Sequence, residues 1–295
     1  MEFFHLAVFL FFILAPSSTI NARKCPKSCR CDDTKLPRGF PPRTQLLNLR
    51  GNHFHFIPAR SFPGTGRVVS LYLDFCKIHE IEAGAFRGMR NLVYLYLSDN
   101  DLTSLEPEAL AGLPKLVYLH LEGNRLAQFP GAGRIKVPKI TIVSMQRAKV
   151  KLMFTFPSAA LSLVPNLSVL HLERNAISRL EPAGLLCSAA PSLMKLYLRS
   201  NAISEIAKGA LDSANIETLH LDSNRLTRVP SDALTDTPNL TELNLSQNPV
   251  QWLGPETFQE MSHSLQRLYM NQMGMEEVKI MMDAYILCLF FLLDY

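Results

Sequence analysis

The chain has 295 residues, 47% of them hydrophobic and 19% charged, with 30 Lys and Arg against 26 Asp and Glu. That apolar content excludes a disordered or collagen-like chain and is enough to bury a core. A formal charge of +4 with no dense basic run gives no ground for a nucleic-acid partner, and six Cys are too few for a disulfide miniprotein.

At the N-terminus, Leu6 to Ala15 form an unbroken apolar run, followed by Pro-Ser-Ser and then the small residue Ala22. That run is about half of the ~20 residues a bilayer span needs, so 1–22 reads as a signal peptide cleaved near Ala22. Cys25-Pro-Lys-Ser-Cys29-Arg-Cys31 follows and makes 23–43 a Cys-rich cap. Clustered thiols fit an oxidising compartment better than zinc, because neither a C-x2-C pair nor a His pair stands nearby.

The chain then repeats. Leu47, Leu71, Leu95 and Leu119 each open a Leu-x-Leu-x-x-Asn unit at spacings of 24 residues, with Cys76 in the Asn slot of the second. The series resumes at Leu170, Leu196, Leu219 and Leu243, and a degenerate ninth copy opens at Leu268. This is the leucine-rich repeat pattern, and it predicts a solenoid over 44–278. The two leucines lie on one face of a short strand, so parallel stacking buries a leucine ladder. Asn carries two donors and an acceptor and closes the strand by pairing backbone groups of the turn. Cys76 reads as a buried structural thiol. Phe62, Phe86, Leu110, Leu185, Leu234 and Phe258 recur further along each unit and should fill the convex side. The expected fold is an α/β-type solenoid with a curved parallel sheet on its concave face and a short helical or irregular convex side.

Two stretches depart from the pattern. Residues 133–159 hold no Leu-x-Leu-x-x-Asn and six Lys or Arg with no acid. Joining Ala132 to Ala160 restores a 24-residue unit, so this stretch reads as translated intron or an extruded loop, and without it the net charge falls to about −2. Residues 279–295 drop the repeat for an apolar tail whose Tyr285–Leu293 run is too short to span a membrane. No transmembrane anchor is therefore expected.

The cysteine cluster followed by 24-residue repeats resembles the extracellular leucine-rich repeat proteins, and within them the chondroadherin subfamily of the small leucine-rich proteoglycan group. The residues that carry the resemblance are Leu71-Tyr-Leu-Asp-Phe-Cys76-Lys-Ile78, Ala83-Gly-Ala-Phe-Arg-Gly88, Tyr94-Leu-Tyr-Leu-Ser-Asp-Asn-Asp101 and Asn248-Pro249. The resemblance implies a Cys25–Cys31 disulfide. It leaves Cys29 without the fourth cap cysteine of the family, and the family's C-terminal disulfide cap has no counterpart in Cys187 and Cys288. It also implies secretion into the extracellular matrix and binding of collagen and cell-surface integrins, although the chain has no Arg-Gly-Asp.

Any function should sit on the concave strand positions. Between the leucines stand Asn48, Tyr72, Tyr96, His120, His171, Tyr197, His220, Asn244 and Tyr269, flanked two positions on by Asp74, Ser98, Glu122, Glu173, Arg199 and Asp222. A row of Tyr and His at the ~4.8 Å strand spacing is a platform for a protein ligand, although strands favour aromatic residues in any case. With the insert set aside, His120 and His171 fall on neighbouring strands beside Glu122 and Glu173. Repeat identity produces such a pairing without a metal, and no metal or cofactor is expected. Asn166, Asn239 and Asn244 open N-glycosylation sequons, the last of them on the concave sheet where a glycan would block a ligand. No catalytic motif stands out, so an enzyme is not expected. The leading expectation is a secreted matrix binding protein; the alternative is the ectodomain of a leucine-rich repeat receptor or neuronal adhesion protein.

Overall fold

The computed structural model describes residues 19–21, 30–32, 35–126, 140–147, 164–180, 190–211, 215–254 and 256–274. The leucines at i and i+2 place their strands side by side in one parallel sheet of eleven. Its members are β1 (Thr19–Asn21), β4 (Leu46–Asn48), β6 (Ser70–Tyr72), β8 (Tyr94–Tyr96), β9 (Tyr118–His120), β10 (Ile142–Ser144), β11 (Val169–His171), β13 (Lys195–Tyr197), β15 (Thr218–His220), β16 (Glu242–Asn244) and β17 (Arg267–Tyr269). Register is set leucine on leucine, as in Leu71↔Leu95 and Leu95↔Leu119. The second leucine extends the ladder, with Leu73 N–H donating to Tyr96 O and Leu97 N–H to His120 O, both at 2.9 Å. Leu47, Leu49, Leu71, Leu73, Leu95 and Leu97 are fully buried. At ~1.5–3 kcal/mol per buried leucine, this column is the main source of stability.

The convex side is built from fragments. β5 (Phe56–Ile57) pairs β7 (Glu80–Ile81), β12 (Arg179–Leu180) pairs β14 (Glu205–Ile206), and the single α-helical turn among the described residues is α1 (Ser231–Leu234). Phe62 and Phe86 stack there at 5.7 Å between ring centroids and are fully buried. Leu110, Leu234 and Phe258 are buried as expected, and Leu185 lies outside the described residues.

The Asn column forms the second ladder. Asn100 Nδ2 donates to Leu97 O and Leu73 O at 2.9 Å, and its Oδ1 accepts Cys76 N–H at 2.9 Å and Ile78 N–H at 3.0 Å. Asn124, Asn201, Asn224 and Asn248 repeat the arrangement. Cys76 keeps only the donor part: its thiol reaches Leu49 O at 3.0 Å, and burial pushes its pKa up to about 11. It is a buried free thiol. The residue before the Asn slot is left-handed in every described coil, with φ from 52° at Asp99 to 73° at Gly51. At Gly123 the conformation is matched by need, since a methyl group there would overlap the Asp99 carboxylate.

Within 133–159, the described residues 140–147 correct the reading as an extruded loop. Ile142–Ser144 is a strand in the middle of the sheet, paired in parallel with β9 through Val143↔Leu119 and with β11 through Val143↔Leu170. Val143 and Met145 occupy the two leucine slots and are buried, so the described residues hold ten such coils, one more than the nine copies of the motif. Val143 stands 24 residues after Leu119, in phase with the repeat. The joint with the next coil is weaker: Asn175 Nδ2 reaches Met145 O at 2.9 Å, but its buried Oδ1 has no donor among the described residues.

Toward the N-terminus, β2 (Arg30–Asp32) and β3 (Lys35–Arg38) form an antiparallel hairpin in the cap. Cys25 and Cys29 lie outside the described residues, and with them the implied Cys25–Cys31 bridge. Thr19–Asn21, the described part of the expected signal peptide, pair with β4 at the sheet edge, so cleavage near Ala22 would remove β1 and leave β4 as the edge strand. Of the tail at 279–295, nothing falls within the described residues. No described helix is long and apolar enough to cross a membrane.

Candidate concave binding face

Strand alternation turns the residue between the leucines, and the residue before the first leucine, away from the core. Two aromatic ladders result. Tyr72 stacks on Tyr96 at 4.4 Å with 6° between ring planes, and Tyr96 on His120 at 4.5 Å with 10°. Beside them Tyr94 stacks on Tyr118 at 4.5 Å. The spacing follows from strand separation: rings on identical rotamers are carried to stacking distance by the backbone itself.

The first ladder is fixed at both ends by charge. The Arg50 guanidinium lies 4.4 Å from the Tyr72 ring centroid and donates through Nε to Asp74 Oδ2 at 2.5 Å. Asp74 is buried, and its Oδ1 accepts Ser98 N–H at 2.9 Å. Ser98 Oγ donates to Glu122, whose Oε1 accepts the His120 ring N–H at 3.1 Å. One hydrogen-bonded line thus runs from Arg50 to His120 along the edge of the stacked rings. Burial and the neighbouring Tyr72 raise the Tyr96 hydroxyl above its ordinary value.

Glu122 shows the opposite shift. Burial alone would raise its pKa, but hydrogen bonds from His120 and Ser98, with the His120 charge, outweigh burial and hold it down to about 2 from an ordinary 4.5. A depressed carboxylate adds stability that is whole above about 4.5 and is lost as pH falls through about 2. The shift sets an upper bound of about 3 kcal/mol. Glu122→Gln should therefore lower stability at pH 7 and flatten the acid limb between pH 5 and 2, read by urea titration at each pH; parallel acid limbs in both proteins would contradict the assignment.

A second cluster lies on the C-terminal half. His171 stacks on Tyr197 at 4.5 Å, Tyr197 meets His220 edge-on at 4.9 Å, and His171 donates to Glu173 at 3.0 Å. His220 donates to Glu242 Oε1 at 2.9 Å, and Arg267 Nη2 to its Oε2 at 2.7 Å. These two donors overcome the effect of burial and lower the Glu242 pKa. Tyr269 closes the column next to Asn244. Ser144 on β10 interrupts the aromatic run, so the face holds two patches. The same strand corrects the pairing of His120 with His171: they are two strands apart, and each is bonded to the Glu of its own coil. No group of three or more metal-ligating side chains is assembled among the described residues.

Sequence reasoning missed Arg50, Tyr94 and Tyr118. The two tyrosines precede the first leucine by one residue, and the period of two already turns that position outward. Asn166 and Asn239 are exposed ahead of β11 and β16; Asn244 is half-buried on the sheet, its Oδ1 accepting Ser246 N–H at 3.0 Å.

The Leucine rich repeat family model matches residues 66–126, 191–248 and 214–272. The chain is a leucine-rich repeat protein. Human chondroadherin-like protein is 44% identical to this leucine-rich repeat chain over 68 residues, covering 19% of the chain and 9% of the relative. The mouse chondroadherin-like protein is 42% identical over 71 residues, and Leucine-rich repeat-containing protein 3 of Rattus norvegicus 42% over 52 residues, or 20% of that relative. The chain thus spans about a tenth of the length of the chondroadherin-like proteins it matches. Among solved structures, a chain of the Drosophila Toll–Spatzle complex superposes with a TM-score of 0.70 at 21% identity, over 89% of this chain and 34% of that one. A chain of the TLR13–ssRNA13 complex gives 0.69 at 19% identity, over 80% and 36%. These two share the leucine-rich repeat fold.

Proposed function

We propose that this leucine-rich repeat protein binds other proteins outside the cell through the concave patch between Arg50 and Glu122. The observation that carries the reading is the ladder of Tyr72, Tyr96 and His120, held by the Arg50–Asp74 pair. Stacked rings have little rotamer freedom left to lose, and Tyr combines large contact area with a polar tip, so such a patch meets a protein surface at low entropic cost. Secretion follows from the apolar N-terminal run. The role is that of a binding protein and not of an enzyme.

The finer reading is a matrix protein that engages collagen and cell-surface integrins. Its support is the resemblance to the chondroadherin subfamily and the local similarity to chondroadherin-like proteins. The test is surface plasmon resonance over immobilised fibrillar collagen and integrin ectodomains. The double substitution Tyr72→Ala/Tyr96→Ala should weaken binding about 100-fold, the effect of losing a central aromatic anchor, with an unchanged far-UV spectrum. No binding of the unaltered protein to either surface would remove these partners.

The second reading, an ectodomain of a leucine-rich repeat receptor or adhesion protein, draws on the fold shared with the Toll complex. Full-length transcript sequence separates the two: a C-terminal cysteine cap and a stop codon support the matrix protein, and a run of about 20 apolar residues supports the receptor.

A further inference from the structure

Away from the sheet, three successive coils enclose a groove of about 250 Å³. Its floor is Ile206, Leu226, Val229 and Pro230, all buried, and its wall is Trp252, which is 66% exposed. Glu205, Arg228 and Asp232 stand on the rim. The indole is seated by the chain: a methyl group on Gly254 would overlap its Cη2 edge, so only glycine lets the ring lie where it does. Ser231 and Thr257, which also line the groove, are committed locally, Ser231 Oγ to Thr257 O and Thr257 Oγ1 to Gly254 N–H, both at 2.8 Å.

The rim selects against charge. Glu205 is already paired at 3.2 Å with Arg179, which stands outside the lining, and this leaves one carboxylate, Asp232, and one guanidinium, Arg228, facing the groove. Neither an anion nor a cation gains a net attraction there. What remains is one aromatic face with a carboxylate that only accepts and a guanidinium that only donates. A hydroxyl both donates and accepts, so neighbouring hydroxyls on one edge satisfy Asp232 and Arg228 together, while an apolar C–H face covers the indole. The volume lies below the ~300–1,000 Å³ of sites for drug-sized ligands and suits a single ring.

We propose that the Trp252 groove is a binding site for a neutral pyranose residue of a carbohydrate, stacked on the indole with its hydroxyls on Asp232 and Arg228. The site is remote from the concave ladder and independent of the protein partner proposed for it.

Trp252 is the only tryptophan in the chain, so its emission reports on this groove alone. Methyl β-glucopyranoside, methyl β-galactopyranoside and N-acetylglucosamine are titrated into the full chain, with tetramethylammonium and acetate as charged controls. At least one pyranoside should give a saturable change with a dissociation constant in the millimolar range, as expected for a ligand of this size. Asp232→Ala should weaken it about 10-fold or more. Gly254→Ala, which displaces the ring but keeps the fluorophore, should weaken it likewise, and Trp252→Ala should abolish binding measured by calorimetry with an unchanged far-UV spectrum. The proposal is overturned by no saturable response to any pyranoside, by an equal or stronger response to either charged control, or by an undiminished response in Asp232→Ala.

Discussion

Replacing Asn100 by Ala should cost the protein about 4 kcal/mol, far more than its one amide suggests. The side chain pairs Leu73 O, Leu97 O, Cys76 N–H and Ile78 N–H, bridging two coils at a buried position. Each buried group left without a partner costs ~1–3 kcal/mol, less what entering water restores. Asn52 provides the control. It is half-buried and its amide donates to Leu49 O at 2.7 Å, so Asn52→Ala should cost about 1 kcal/mol. Urea denaturation of the two variants makes the comparison, and equal losses would contradict the view that the Asn column ties coil to coil.

Phe86→Ala should cost a similar ~3–5 kcal/mol by emptying the convex side of the core. Phe86 is fully buried and stacks on Phe62 with 11° between the rings, so truncation removes its own transfer energy and leaves Phe62 facing a void. Phe86→Leu, which fills most of the space, should recover much of the loss. The two positions touch, so the double variant should lose less than the sum of the singles. A Phe86→Ala cost below about 1 kcal/mol would mean that the convex side collapses freely and that the fold rests on the sheet alone.

Much of this was legible in the sequence because a repeat states its own rules many times over. Leu-x-Leu fixed strand direction and register, and the Asn slot fixed the closing turn, so nine coils and the outward-facing Tyr and His column could be read directly. The tenth coil escaped because Val143, Met145 and Ala148 stand where Leu, Leu and Asn are expected, and three substitutions in one unit erase the motif while leaving its 24-residue phase intact. The expectation that His120 and His171 fall on neighbouring strands failed with it. Other features are not written in the pattern at all. That His120 and His171 turn to the Glu of their own coil, whereas His220 reaches the next, depends on side-chain rotamers. Arg50 over Tyr72 and the seat of Trp252 above Gly254 depend on contacts across coils that a linear spacing does not record.

The left-handed position before each Asn is a further case. Gly51 and Gly123 signal it, but Phe75, Arg174 and Gln247 adopt the same conformation without a residue type that favours it. The coil geometry imposes the turn, at a local cost of ~1–2 kcal/mol per residue, and the stacked neighbours outweigh it.

One continuous sheet with Ile142–Ser144 at its centre sets the number of described coils and divides the concave face into two patches. Amide hydrogen exchange over 141–147 tests this most directly. Thr141 N–H donates to Val117 O at 3.1 Å, and Met145 N–H and Arg147 N–H donate to His171 O and Glu173 O at 2.8 and 3.0 Å. These three amides should exchange as slowly as Val117, Leu97 and Leu172 in the neighbouring coils. Exchange at the rate of an unstructured chain at 141, 145 and 147, with 97, 117 and 172 still protected, would contradict it.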